Sequence, residues 1–320
     1  MDTGASSTWV MGSTCSTAAC ISHDLFGAND SSTYQASQTP FSVGYGTGVV
    51  SGMYATDTVS LAGFTLSLTF GIANQTSIDF THFPFDGIIG LSTFAGDVPT
   101  FVDVLISSKV LKSNIFGVNI DRAADGEHNG EISFGQPDDS KYIGSLSYSP
   151  VGDSEGWKIA VDDVGFNGKS AGMTGRFAYI DTGTSYCFLP PDDAKVLHGL
   201  IPGSQLSADG NTWYVPCTTT SPIQFKFSGV TYNVSTKDWI GGKINSLCAS
   251  NIYPATPAGA VWLLGDTFLK NVYALFDVDQ SRIGSSARLL MKIALIVHRI
   301  WGKANSSSSI YVHIDTDSNK

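Results

Sequence analysis

Apolar residues along this chain come in short runs, alternating or contiguous, each closed within a few positions by Gly, Asn, Asp or Ser. Phe41–Tyr45, Thr65–Phe70, Ile115–Ile120, Ile223–Phe227 and Val272–Phe276 are the clearest of them. Runs of this length between turn formers predict β-strands. Helical patterning is confined to Phe101–Ser107 and to Asp192–Leu200, the second behind a Pro190-Pro191 start signal. The pattern therefore predicts an all-β protein with a few short peripheral helices.

At 320 residues the chain is longer than one hydrophobic core usually serves, which predicts two domains. Hydrophobic residues at 42%, charged residues at only 14% and 34 Gly suit a β-rich globule with many tight turns. A formal charge of −10 without any Lys/Arg cluster argues against nucleic acid or an anionic membrane as partner. The same carboxylate excess neutralises in acid and predicts tolerance of low pH.

Five cysteines change the picture of the compartment. Cys15 with Cys20 and Cys217 with Cys248 lie in polar, turn-rich sequence, which favours two local disulfides and an oxidising environment. Cys187, between Tyr186 and Phe188, reads as a buried, inert thiol. Asn29, Asn74, Asn233 and Asn305 each open an N-x-[ST] acceptor, compatible with secretion. No basic and apolar leader precedes the first motif.

The chain also echoes itself. MDTGASSTWV at Met1 returns as IDTGTSYCFL at Ile180, and FDGIIGLS from Phe85 is matched by VWLLGDTF from Val261. Each half thus reads Asp-Thr-Gly and later two apolar residues followed by Gly, which implies two similar lobes joined between Gly144 and Gly156. A single Asp-Thr-Gly is an ordinary turn. Two copies have a chemical reading: two carboxyl groups brought together cannot both ionise cheaply and share a proton. One then takes a proton from a water while the other donates to the carbonyl oxygen of an amide.

On these residues the chain resembles the pepsin-like aspartic endopeptidases, especially secreted fungal members, from Asp2 to about Gly284. The resemblance implies a bilobal double β-barrel with the active site in the cleft between lobes. It places an N-terminal lobe at 1–147, a C-terminal lobe at 148–284 and an atypical tail at 285–320. It implies that Asp2 and Asp181 are catalytic, supported by Thr3, Gly4, Ser6, Thr182, Gly183 and Thr184. The segment VGYGTGVVSG matches the family's flap, with Tyr45 at its tip, Gly46, Thr47 and Gly48 contacting substrate, and Trp9 bonding the tyrosine. Ile88, Phe80 and Phe83 fall near a pocket for an apolar side chain, and both cysteine pairs match the family's disulfides. Cleavage between bulky apolar residues of polypeptides in acid follows, by a secreted or vacuolar monomer without metal or cofactor.

The chain departs from the family at both ends. Only Met1 stands before Asp2, where the family has strands, so the first lobe reads as N-terminally truncated. After Gly284 the apolar run Leu289–Trp301 is too short and too charged for a membrane span and reads as a mistaken gene-model end or a covering helix. Polar sequence from Asn305 onward suggests disorder or a loosely attached strand. The alternatives are a catalytically impaired fragment or binding-only homologue, and a β-sandwich with coincidental Asp-Thr-Gly repeats. The six His show no metal-ligand spacing, and neither C-x-x-C, G-x-S-x-G nor a completed phosphate loop occurs.

Overall fold

Three two-residue turns, Ala62-Gly63, Asn167-Gly168 and Ser228-Gly229, have positive φ at both positions and close hairpins at Leu61↔Phe64, Phe166↔Lys169 and Phe227↔Val230. That conformation matches the right-handed twist of paired strands, and Gly at its second position adopts it without steric penalty. The computed structural model describes residues 1–126, 130–152, 156–256, 259–289 and the backbone of 310–314. Strands are their main regular structure, with a few short helices, in two units that divide after Lys112.

The first unit is built on a five-stranded sheet in the order 35–45, 48–61, 64–76, 9–11, 87–88. Its long hairpins alternate buried and exposed side chains, so one face covers a core of Trp9, Met11, Phe41, Val50, Tyr54 and Phe80. Thr100 caps the helix Phe101–Ser108 through a reciprocal box: its Oγ1 accepts from the Asp103 amide at 3.1 Å, and Asp103 Oδ2 accepts from the Thr100 amide at 2.9 Å.

The second unit holds four further sheets. One of five strands, ordered 252–254, 187–189, 262–264, 176–180, 158–161, carries the second Asp-Thr-Gly at its heart. A six-stranded sheet runs 310–314, 130–134, 115–119, 272–277, 282–287, 147–150, with Phe116 stacked on Phe276 at 4.8 Å and both edge-on to Trp157. Helix Pro191–Gly199 starts with proline at its first turn and with Asp192 and Asp193 near its positive end.

All five expected strands and both expected helices are found, several of them longer than their apolar runs. The join differs from the expected stretch at 144–156. Strands 115–119 and 130–134 group with the second unit because 115–119 pairs along its length with 273–277. Residues 285–287, assigned by sequence to the tail, complete the strand 282–287, and beyond it Arg288 bridges to Tyr142 and donates to the Ile120 carbonyl at 2.6 Å while pairing with Asp121 at 2.8 Å. The run from 290 to 301 and Asn305 lie outside the described residues; beyond them 310–314 forms a strand antiparallel to 130–134. Among the described residues no helix is long and apolar enough to cross a membrane.

Candidate active site

Each unit holds its Asp-Thr-Gly in a turn pinned to the later apolar-apolar-Gly segment. In the first, the Asp2 amide donates to the Ile89 carbonyl at 2.9 Å and the Leu91 amide donates back to the Asp2 carbonyl at 2.7 Å. In the second, the Asp181 amide donates to the Leu264 carbonyl at 3.0 Å, and the Asp266 amide to the Thr184 carbonyl at 2.8 Å. Strand register repeats as well: Trp9, seven residues after Asp2, pairs with Ile88, and Phe188, seven after Asp181, pairs with Leu263. The two sequence echoes are therefore a single structural device used twice.

Glycine is required where the two segments cross. A β-carbon on Gly90 would stand 2.5 Å from the Ser6 carbonyl carbon, and one on Gly265 would stand 1.9 Å from the Thr184 carbonyl oxygen. Both contacts are far inside van der Waals distance. In the sequence Gly90 and Gly265 are visible only as members of the repeat, which carries no sign of the crossing they permit.

The carboxylates are aimed by backbone amides. Asp2 Oδ1 accepts from the Gly4 amide at 2.8 Å and the Ala5 amide at 3.1 Å; Asp181 Oδ1 accepts from the Gly183 amide at 2.8 Å, and its Oδ2 from the Thr184 hydroxyl at 2.6 Å. Asp2 is 9% and Asp181 7% exposed, so both are desolvated yet reachable. Thr3 is buried and Thr182 half-buried, while Gly4 and Gly183 are exposed. Ser6, expected beside Asp2, lines a small pocket with Asp97 and Val98.

Above the first motif, strands 35–45 and 48–61 form a hairpin whose tip is Gly46-Thr47, both exposed. Trp9 Nε1 donates to the Tyr45 hydroxyl at 2.7 Å. Burial, opposed by that bond and aided by the Asp2 charge, pushes the Tyr45 hydroxyl up to about 12, so it stays a neutral phenol. Phe80, 2% exposed, stands edge-on to Trp9 at 5.6 Å and to Tyr45 at 6.1 Å, backing both rings; Ile88 and Phe83 keep partial exposure.

A profile of the eukaryotic aspartyl proteases matches residues 1–288. The chain belongs to that family. It is 44% identical over 293 residues to the aspartic-type endopeptidase ctsD of Aspergillus fumigatus, an alignment covering 90% of this chain and 62% of that protein. It is 45% identical over 294 residues to a probable aspartic-type endopeptidase CTSD of Arthroderma otae, covering 90% and 78%. Against pepsin A of Bos taurus the identity is 32% over 296 residues, covering 88% and 78%. The chain thus spans less than two thirds of the Aspergillus relative.

Within this aspartyl-protease chain two disulfides join the expected partners, Cys15 with Cys20 and Cys217 with Cys248, and Cys187 is free and buried. Two groups near the motifs were missed by sequence. Asp266 follows Gly265, where the first unit has apolar Leu91 after Gly90; the difference between GLS and GDT was its only signal. Burial pushes Asp266 up to about 7, helped by the Asp181 charge and opposed by Lys270, and its Oδ1 has no hydrogen bond among the described residues. His23 is the other: its ring nitrogens meet the Ala19 and Phe83 carbonyls at 2.6 Å each, tying the helix Ala18–Ile21 to the segment beside Phe80.

Proposed function

We propose that this chain is an aspartic endopeptidase in which Asp2 and Asp181 act together on one water. The observation that supports it is the duplicated carboxylate turn, each Asp desolvated and each holding an oxygen 2.8 Å from the amide of the glycine two residues on. Amide donors fix each carboxylate in one orientation, so that a water or a shared proton meets it in a defined geometry. The ionised carboxylate takes a proton from the water, whose oxygen attacks the scissile carbonyl carbon. The protonated partner donates to the carbonyl oxygen; on collapse of the tetrahedral intermediate the proton taken from the water passes to the leaving nitrogen, one gem-diol hydroxyl returns its proton to the other carboxylate, and the neutral amine departs. Aspartic proteases as a class are the standing precedent for two carboxyl groups that share one proton, and that sharing favours operation in acid.

Thr3 and Thr182 support the two turns, and Tyr45, Gly46 and Thr47 close over an extended polypeptide whose bulky apolar side chain lies against Ile88, with Phe80 behind. The two disulfides and the fungal relatives favour a secreted or vacuolar setting. Hydrolysis of denatured haemoglobin in acid, with and without pepstatin, tests the reading. Pepstatin-sensitive cleavage that is lost in Asp181→Asn, with an unchanged circular dichroism spectrum, is the expected result. Cleavage persisting near the starting rate in that variant overturns it, since general acid–base help of about 10²–10⁴-fold is at stake.

A further inference from the structure

We infer that Asn233 carries an N-linked glycan whose first N-acetylhexosamine lies in a neutral groove beside it. Asn233-Val234-Ser235 is one of the four acceptor sequences, and the two disulfides send the chain through the oxidising compartment where such transfer occurs. The acceptors differ in their surroundings. Asn74 is half-buried at a register shift, between the pairs Ser51↔Gln75 and Gly52↔Ala73. Asn233 is exposed on the strand Val230–Val234 and is one of the residues that line a cavity of about 330 Å³.

The chemistry of that cavity selects its occupant. Ser145, Thr231, Tyr232, Ser285 and Ser286 line it with Asn233, and none of its lining residues is charged, in a chain with 28 acidic and 18 basic residues. A concave surface of hydroxyls with Val230 and Ala287 for apolar contact suits a neutral, hydroxyl-rich ligand carrying a methyl group. The asparagine is also oriented for attachment. Gln224 Nε2 donates to Asn233 Oδ1 at 2.8 Å, and this bond survives glycosylation, which uses Nδ2. In the transfer, Nδ2 bonds to the anomeric carbon of a lipid diphosphate oligosaccharide while that carbon's bond to phosphate breaks. The lipid diphosphate leaves with the electron pair, and Nδ2 gives one proton to the transferase's base.

The test is secretion of the full chain from a yeast host, followed by mass analysis of the peptide that holds Asn233. A glycan on that peptide, and loss of one glycan mass from the intact chain in Asn233→Gln, are expected. The groove is tested by peptide N-glycosidase, which must reach the bond between Asn233 and the first sugar. Release is expected to be several-fold slower from the native chain than from the denatured one, whereas an endoglycosidase that cuts after the first sugar shows no such gap. Ser145→Trp, at an exposed position on the groove wall, should abolish the native protection while leaving occupancy intact. An unmodified Asn233 peptide in the secreted protein overturns the site. Equal release from native and denatured chains, or protection unchanged in Ser145→Trp, overturns the seating in the groove.

Discussion

Gly265 passes so close to Thr184 that a β-carbon on it would stand 1.9 Å from the Thr184 carbonyl oxygen. Thr184 in turn donates its hydroxyl to Asp181 Oδ2. Gly265 has φ −96°, a value open to any residue, so the constraint is one of space and not of backbone conformation. Gly265→Ala must displace the turn and with it the carboxylate; a destabilisation of about 1–3 kcal/mol is expected, with a larger proportional loss of kcat than of binding. Gly44→Ala, where a β-carbon meets nothing within 4 Å, is the control and should change the melting temperature little. Equal behaviour of the two variants in thermal melts would remove the crossing glycine from the account.

Trp9→Phe removes the donor to the Tyr45 hydroxyl but keeps an aromatic ring against Phe80. A stability loss of about 1 kcal/mol is expected in urea unfolding. The more telling readout is kinetic: a tyrosine no longer fixed at the hairpin should raise KM for a peptide substrate. Unchanged KM would mean that the bond only stabilises the unit.

Asp266 gives the stability of the second unit a pH dependence. The unfolded chain loses this proton near the ordinary value of 3.8, and the folded chain keeps it to about 7. Between those values the native state binds a proton that the unfolded state lacks, so stability is fully present in acid and falls as pH rises. Glu131, also pushed up to about 7 by burial against the opposing pull of Lys141, adds a slope of the same sign. Asp266→Asn should flatten the decline of melting temperature between about pH 4 and pH 7. Parallel curves for the two proteins would show that Asp266 titrates as an ordinary carboxyl.

The two disulfides close loops of unequal length, with separations of 5 and 31 residues. Chain-entropy reasoning gives about 2 kcal/mol for the Cys15–Cys20 link and about 4 kcal/mol for Cys217–Cys248. Paired Cys→Ser variants compared by urea unfolding should keep that order. A larger loss from the short loop would point to packing, since Cys15 and Cys20 belong to the Trp9 core.

The apolar runs revealed the sheets because side chains such as Phe225 and Phe276 are buried at the period that strands impose. Asn167-Gly168 was a legible hairpin signal, while Ala62-Gly63 and Ser228-Gly229 form the same turn with residues that advertise it poorly. The carboxylate turns were legible because they occur twice. Which residues group into each unit was not: strand 115–119 lies near 130–134 in sequence, and only its pairing with 273–277 assigns it to the later half. Asp266 was hidden for a related reason. Its effect comes from lost hydration, and nothing in Gly-Asp-Thr declares how much water surrounds the carboxyl.

Cys187 is sealed within the second unit, and burial pushes its thiol up to about 12. Thiolate is the reactive form, so in the native state this sulfur is a poor attacker of the chain's disulfides. Unfolding ends that restraint. Once exposed near neutral pH, an odd thiol can attack Cys217–Cys248 and scramble the linkage, which turns a reversible melting into a one-way loss. The shelf life of the folded chain is therefore set by how often the second unit opens, and the same heat dose should be better survived in acid, where exposed thiols stay protonated.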